Sequence, residues 1–560
     1  MSKNQILRIT GILALLLLSV PVFVSAQNFL SGGQVNGNFQ MDAQFYRTDS
    51  AIQAYSVPEK MMMNSWTNLT YNLGNFNAGM RFETYLNPVN GYDPRYKGAG
   101  VPYWFADYKS DQFQVTAGNI YEQFGSGMAF RTYEEHNLGY DNSLRGVRVK
   151  FTPVDGVEFK GIWGTQRYFW DQGAGIVRGG DVDFNLNRVI RHFESSKLKV
   201  QLGGSFVSKY QADETITDND GNELILPLNV GITAGRVNLG YDNFSLATEY
   251  AYKINDPSAL NNYIYRPGQS LLVTATYSKK GLGMMLQAKR IDNMSYKSKR
   301  TETGNVLDIN YLPAITRQHT YSLAAMYPYA TQPNGEMGVQ GQVNYKIKKG
   351  TWLGGHYGTD IALNFSAIAS PKYEMIDTIA ISTPGTKGYE SPFFAIGDEL
   401  YYRDINLEIG HKFSKKFKGI LTLMHEDYNI EVIEGHPGEE MVHANIAIAD
   451  LTYKFTDTHS LRGEFQVLQT KQDDGSWLTG LLEYTIAPKW FFSVTDMYNY
   501  GNDDSDNRLH YPLVAVAYNN NANRIQVSYG KQREGIVCVG GVCRNVPASN
   551  GFTISITSSF

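Results

Sequence analysis

Charged side chains of both signs are concentrated in the segment that runs from Glu122 to Ser143 and in the strand expected to follow it. Gly125 and Gly127 allow the chain to turn sharply away from a strand that ends near Tyr121. If this segment folds into a water-filled space, its acids would face basic side chains and select small polar solutes by charge. The constriction candidates are Arg131, Glu134, Glu135, Asp141, Arg145 and Arg148. The alternative is a loop that points outward and forms no filter.

Motifs for catalysis or metal binding do not emerge in the rest of the chain. Residues 124–127 lack the G-x-S-x-G pattern of a hydrolase nucleophile. His425 and Glu426 lack the second histidine that a zinc protease carries three residues after the glutamate. The acidic run at 217–223 resembles a calcium loop only in part, because residues that cannot ligate occupy its first and last ligand positions. The sequence therefore predicts no enzyme, no metal and no cofactor.

Cys538 and Cys543 are the two cysteines of the chain and lie in the stretch VCVGGVC. The two central glycines allow the chain to reverse, and an exported protein meets an oxidising environment. We predict a local disulfide between them. Free thiols and metal ligation are the alternatives, although two sulfurs alone do not complete a zinc site.

Residues 1–26 have the pattern of a secretory signal peptide. Lys3 and Arg8 precede an apolar run at 12–24, and small residues precede the predicted cleavage site. A membrane anchor is the alternative, but the apolar run is shorter than the roughly 20 residues that span a bilayer. The mature domain is then 27–560. The formal net charge is −4, and loss of the two signal cations makes it more acidic, which excludes a broad basic surface for nucleic acid.

The elements that must position these residues are β-strands, because apolar and polar residues alternate along most of the mature chain. The stretch from Val35 to Phe45 is apolar or small at odd positions and polar at even ones, and 337–347 and 404–413 repeat the pattern. Compact turns are expected at 153–156, 278–281, 348–350, 414–416 and 487–489. Long polar loops are expected between them, most clearly at 209–228, 255–268, 369–398 and 429–441.

Short turns on one rim and long loops on the other are typical of outer-membrane barrels. We count about 25 strand-like runs, and single-chain bacterial barrels normally have an even number. The sequence therefore predicts an all-β fold, a single large antiparallel up-and-down transmembrane β-barrel of about 26 strands, within a range of roughly 22 to 26. The odd count points to the region 292–317, where 305–311 is a candidate extra strand; the alternative is that two of the counted runs form a single strand. The first strand begins near Val35, so we expect no N-terminal plug domain.

The last ten residues, GFTISITSSF, alternate apolar and hydroxyl-bearing side chains. This ending resembles the C-terminal aromatic signal of bacterial outer-membrane proteins. The resemblance implies that the barrel assembly machinery reads Phe560. The segments at 118–151 and 309–336 resemble an uncharacterised family of Bacteroidota outer-membrane barrels. That resemblance implies the fold, a location in the bacterial outer membrane and contact with its lipid, and it transfers no functional residue.

Two functions fit these observations. The first expectation is a porin-like channel for small polar solutes; the alternative is a non-conducting structural or accessory barrel in outer-membrane assembly, secretion or surface display. Charged positions expected to face inward suit a hydrated pore and a salt-bridged, filled lumen equally; they are Asp42, Arg81, Glu83, Glu158, Lys160, Arg462 and Glu464.

Overall fold

A computed structural model describes residues 32–376 and 380–560 of the protein. The predicted signal peptide, 1–26, lies outside the described residues. One sheet contains 24 strands, within the predicted range of strand numbers. We number them β1 to β24: Gln34–Tyr46, Met61–Leu73, Phe76–Asn87, Gly98–Lys109, Phe113–Ile120, Leu144–Val154, Val157–Tyr168, Asp171–Asn185, Leu198–Tyr210, Asn229–Tyr241, Phe244–Lys253, Gly268–Lys279, Leu282–Asp292, Gly335–Ile347, Thr359–Pro371, Ile396–Lys412, Phe417–Tyr428, Val442–Lys454, His459–Gln469, Trp477–Ile486, Trp490–Tyr498, His510–Asn520, Asn523–Gln532 and Ser549–Ser559.

Each strand pairs antiparallel with the next along the chain, and β24 pairs with both β23 and β1, which closes the barrel. Phe560 continues the closing ladder: its N–H donates to the Gly37 carbonyl at 2.9 Å, and the Gly37 N–H donates to the Phe560 carbonyl at 2.8 Å. A Cβ atom on Gly37 would lie 2.5 Å from the Phe560 ring. The ring can occupy this place because position 37 is glycine.

The two rims of the barrel differ in the length of their connections. Turns such as 74–75, 155–156 and 521–522 lie on one rim, which we call the short-turn rim. The connections on the opposite, long-loop rim include 121–143, 211–228, 293–334 and 372–395. The exceptions are 186–197 and 348–358, which are longer connections on the short-turn rim, and 169–170, a tight turn on the long-loop rim.

Side chains alternate between the outer and the inner surface of the wall, as the sequence predicts. In β16, Ile405 faces outward and is 46% exposed, whereas its neighbour Asp404 faces inward and is fully buried. In β6, Val147 and Val149 face outward, whereas Arg148 and Lys150 face inward. The outer surface is therefore largely apolar, and the inner surface carries most of the charge.

The predicted extra strand at 305–311 is wrong. The whole connection between β13 and β14, residues 293–334, is irregular and carries one isolated bridge, between Lys297 and Asp308. Alternation over a few residues at 305–311 resembles a strand, but this segment has no neighbouring strand with which to continue the ladder. The barrel therefore has 24 strands, an even number that is one fewer than the runs counted in the sequence.

The remaining elements are short and lie in the connections. Helical turns occur at Leu186–Val189, Arg191–Glu194 and Ile430–Ile433, with 3-10 turns at Ser50–Ile52, Pro94–Tyr96, His136–Leu138, Ala259–Asn261 and Ser505–Asn507. Small strand pairs join Gln123–Phe124 to Phe130–Arg131, Glu134–Glu135 to Tyr140–Asp141, Glu374–Met375 to Tyr389–Glu390, and Gly535–Val539 to Val542–Val546. No helix among the described residues is long and apolar enough to cross a membrane.

Candidate functional site: a lumen occupied by two loops

The connection 121–143, which we call loop A, folds into the barrel. Phe124 and Phe130 are fully buried and belong to one apolar cluster with Ile232, an inward-facing residue of β10. At the tip of the loop, the Ser126 N–H donates to an oxygen of Glu249, on the inner surface of β11, at 2.7 Å. Loop A therefore rests on the inner wall, about halfway along the strands.

Buried ion pairs fasten loop A to the wall. We call the set Arg81, Glu83, Glu134, Asp141 and Arg167 the latch. Arg81 of β3 binds Asp141 at 2.5 Å and also pairs with Glu134. Arg167 of β7 binds Asp141 and Glu83, each at 2.7 Å. Because both arginines are almost completely buried, removing one partner would leave buried charge only partly compensated; breaking a buried pair costs about 3–5 kcal/mol.

Titratable groups of loop A reflect this environment. Burial acts to raise the pKa of Asp141, but Arg167 and Arg81 outweigh it and hold that pKa below its ordinary value. Burial, together with the charge of Arg81, lowers the pKa of His136, so the ring is neutral when the loop is docked. His136 stacks on Trp66 of β2, with ring centres 4.1 Å apart.

Among the predicted constriction residues, Glu134 and Asp141 belong to the latch. The Arg131 guanidinium lies between two rings, 4.4 Å from the centre of Tyr133 and 4.1 Å from that of Tyr311. The Glu135 carboxylate caps the 3-10 turn at 136–138 by accepting the Asn137 N–H. These four acids and bases therefore hold loop A in shape.

Arg148 faces the lumen as predicted, and Arg145 does not. Arg148 pairs with Glu122 at 3.1 Å, and Glu122 also binds Lys150 at 2.8 Å. Arg145 shares the outward face of β6, and its guanidinium lies 5.6 Å from the centre of the outward Trp104 ring. The structure thus excludes Arg145 from a lumen constriction. A charged side chain can face outward at the rim of the wall, where water reaches it.

The connection 293–334, which we call loop B, crosses the lumen and reaches deeper than loop A. Its polar side chains pair with the inner wall at Arg317–Glu408 (2.7 Å), His319–Asp404 (2.9 Å) and Tyr321–Asp450 (3.2 Å). Glu408 and Asp450 lie near the short-turn ends of β16 and β18. Loop B therefore descends through most of the barrel and returns.

Apolar side chains of loop B fit an apolar part of the inner wall. Leu323 and Tyr327 are buried in one cluster with Ile446 and Ile448 of β18 and with Trp477 of β20. Loops A and B also contact each other, because the Arg131 N–H donates to the Ile309 carbonyl at 2.9 Å. The two loops form one packed body inside the barrel.

A disulfide-closed hairpin covers loop B at the long-loop rim. Gly535–Val539 and Val542–Val546 form the hairpin, and Cys538 and Cys543 are joined across it, with Cα atoms 4.1 Å apart. The Tyr311 hydroxyl donates to the Gly540 carbonyl at 2.7 Å. A Cβ atom on Gly540 would lie 2.2 Å from that hydroxyl, and Gly540 has a φ of 60°. Glycine at this position is therefore needed for both the turn and the contact.

Polar cavities remain inside the barrel toward the short-turn rim. One of about 820 Å³ is lined by Lys346, Asp360, Glu408 and Lys412 together with neighbouring residues of β12 to β17. Another, of about 380 Å³, lies beside the tip of loop A and is lined by Lys160, Asp183, Arg236 and Glu249 among others. The loops and the hairpin thus occupy the long-loop side of the lumen, and these charged cavities lie beneath them.

Sequence reasoning missed loop B and one residue of the latch, Arg167. Arg81 and Glu83 were expected to face inward, but Arg167 follows a bulge in β7 and does not fit the simple alternation. A signal for loop B exists in β18, where Ile446 and Ile448 face inward. An apolar inner surface is unexpected in a water-filled pore, so it points to a packed partner inside the barrel.

A family model matches residues 6–560 of the chain and is described as DUF6029, a family of unknown function. The chain belongs to the DUF6029 family. No curated protein sequence matches it. The predicted Bacteroidota origin stays a prediction.

Three solved structures with a similar fold are distant from this chain in sequence. The P pilus usher PapC translocation pore has 8% identity and a TM-score of 0.42, over 94% of this chain and 99% of that one. The siderophore receptor PirA from Pseudomonas aeruginosa has 9% identity and a TM-score of 0.40, over 94% and 80%. A variant of OccD1 (OprD) has 8% identity and a TM-score of 0.32, over 94% and 95%.

Proposed function

We propose that this DUF6029 protein is a bacterial outer-membrane barrel that is closed in its resting state by its own loops and serves as a structural or accessory barrel. Outward side chains such as Val147, Phe365, Leu423 and Val516 form an apolar surface around the wall, which suits contact with lipid. In outer-membrane barrels the short turns face the periplasm and the long loops face outward. The 535–546 hairpin would then lie on the cell surface.

One observation carries this proposal: side chains of loops A and B are buried in apolar clusters with residues of the inner wall. The apolar residues of both loops are buried against inward residues of β10, β17 and β18, and buried ion pairs hold loop A in place. Burying such side chains stabilises the docked state by about 1.5–3 kcal/mol each. A mobile loop in an open pore gains none of this stabilisation.

Liposome swelling tests the proposal. Vesicles that contain the purified wild-type barrel should swell in monosaccharide solution no faster than empty vesicles. A variant in which 313–330 is replaced by a short Gly/Ser linker should swell, because it lacks the part of loop B that packs on β16 to β20. Swelling of the wild-type vesicles at the rate of an open porin would overturn the proposal.

The porin-like channel stays the second candidate function, now as a gated one. The charged cavities of about 820 Å³ and 380 Å³ favour it, since mixed charges of this kind suit polar solutes. In a conducting state, exchanging Glu134 and Glu135 for glutamine should shift the reversal potential in a salt gradient. If the wild type conducts and the double variant has the same reversal potential, loop A is no filter.

The proposed partners are the lipid of the outer membrane and the machinery that assembles barrels into it. Phe560 is the recognition residue under this proposal, supported by its position at the end of the closing strand.

A further inference from the structure

Arg290 is a basic residue on the outer surface of the barrel wall, where apolar side chains surround it. Residues that pair across neighbouring strands lie on the same face of the wall. One row of paired residues runs across β11 to β14 and consists of Tyr250, Leu271, Arg290 and Met337. Tyr250 is exposed on the outside, so the row lies on the outer surface. Arg290 is nevertheless only 2% exposed. Another part of the chain therefore covers it.

The cover is the segment 389–395, which we call the flap. The guanidinium of Arg290 donates to the Ser391 hydroxyl at 2.9 Å and to the Pro392 carbonyl at 3.4 Å. The Phe393 ring lies 5.1 Å from the same guanidinium and 6.2 Å from the Tyr250 ring. The flap thus folds over the outside of the wall and does not enter the lumen.

A second set of contacts fixes the base of the flap. The Tyr389 hydroxyl donates to Asp292 at 2.8 Å, and Arg266 binds the same carboxylate at 2.7 Å. Asp292 also pairs with Arg290 at 3.1 Å. Asp292 therefore pairs with both arginines of this outer patch and joins them to the base of the flap.

The end of the flap carries an apolar, uncovered surface. Phe394 is 84% exposed, and Ile396, which begins β16 directly after the flap, is 63% exposed. Phe394 packs edge-on against Phe393 at 4.9 Å, so the exposed apolar surface continues into the outward surface that includes Tyr250.

The height of the flap follows from strand geometry. A strand rises about 3.4 Å per residue and tilts by about 40°, so Arg290 lies roughly 21 Å above the start of β13. The apolar band of an outer-membrane barrel is about 25 Å tall, and aromatic residues flank it at both interfaces. Arg290 and the flap therefore lie at the outer edge of that band.

We propose that the flap lies in the headgroup region of the outer leaflet, where Phe394 and Ile396 contact lipid and the flap shields Arg290 from it. This inference rests on the membrane location within the proposed function and is independent of whether the barrel conducts. The partner is the lipid surface itself, because the apolar face of the flap is continuous with the outward surface of the wall.

Site-directed fluorescence in proteoliposomes tests the proposal. In a Cys538→Ser/Cys543→Ser background, a polarity-sensitive dye is attached at Phe394→Cys. The matched controls are Val514→Cys, which lies on the outer wall of β22, and Asp503→Cys, which lies in an exposed polar connection. The dye at position 394 should emit at shorter wavelength than at position 503. Nitroxides attached to lipid headgroups should quench it strongly, whereas aqueous iodide should quench it weakly.

The outcomes distinguish the position of the flap in lipid from the membrane location of the barrel as a whole. If the dye at 394 behaves like the dye at 503 while the dye at 514 is in lipid, the flap is in water and this inference is wrong. If the dye at 514 is also in water, the membrane location fails, and the inference fails with it.

Discussion

Removing one arginine of the latch should loosen loop A without unfolding the barrel. Arg167→Met keeps much of the side-chain volume and deletes the charge that binds Glu83 and Asp141. Both carboxylates keep a second partner, Arg81, at 2.7 Å and 2.5 Å. The cost should therefore lie at the lower end of the 3–5 kcal/mol range for breaking a buried pair. About 3 kcal/mol raises the undocked population of loop A roughly a hundredfold.

The assay is alkylation of a cysteine that is reachable only when loop A undocks. Ala129 is fully buried at the tip region of the loop, and Ala129→Cys changes its volume little. In the limit where docking is faster than alkylation, the rate of labelling is proportional to the undocked population. Labelling should therefore be about a hundred times faster with Arg167→Met than without it.

Arg188→Met is the matched control, because Arg188 and Asp155 form an ion pair with side chains 61% and 78% exposed. It should leave the labelling rate nearly unchanged, since exposed pairs contribute at most about 1 kcal/mol. Heat-modifiable migration on gels would show that both variants are folded barrels. Equal labelling rates in folded Arg167→Met and wild-type barrels would refute the reasoning that buried ion pairs hold loop A.

Three further outcomes are expected. Because the pKa of His136 is lowered in the docked loop, docking is fully favoured above the ordinary histidine pKa of about 6.5 and weakens as pH falls below it toward the lower pKa of the docked state. Labelling of Ala129→Cys, normalised to an exposed cysteine, should therefore rise between pH 7 and 5, and His136→Phe should remove the rise. Deleting Phe560 should cost the refolded barrel only about 1–3 kcal/mol for two backbone hydrogen bonds but should sharply lower its yield in outer membranes; normal yield would exclude a recognition role. When the exported protein is alkylated without reductant, its intact mass should show no label on Cys538 or Cys543. A mass increase of two labels would show that both thiols are free.

Alternation made the wall of the barrel predictable, because each strand must present one surface outside and another inside. Val147 and Arg148 illustrate this, since adjacent residues face opposite sides of the wall. The rule weakens at bulges. Arg145 keeps the outward parity of Val147, so strict alternation excludes it from the lumen, whereas Arg167 follows a shift of register and a count of odd and even positions overlooks it.

The occupants of the lumen were harder to predict, because their order comes from contacts between distant parts of the chain. Loop A was expected to bring acids toward lumen arginines, yet the partners of Asp141 are Arg81 and Arg167 rather than the nearby Arg145. Loop B has no regular period, since its side chains fit two different parts of the wall. A local pattern cannot specify such a fit.

A single-channel recording of the purified wild-type barrel in a planar bilayer tests the central claim most directly. Loops A and B together with the 535–546 hairpin occupy the long-loop side of the lumen, so the trace should stay at the baseline current after insertion. The variant with 313–330 replaced should give steady openings under the same conditions, which shows that barrels have inserted. Steady openings of the wild type itself, of the same size as those of the variant, would contradict a barrel closed by its own loops.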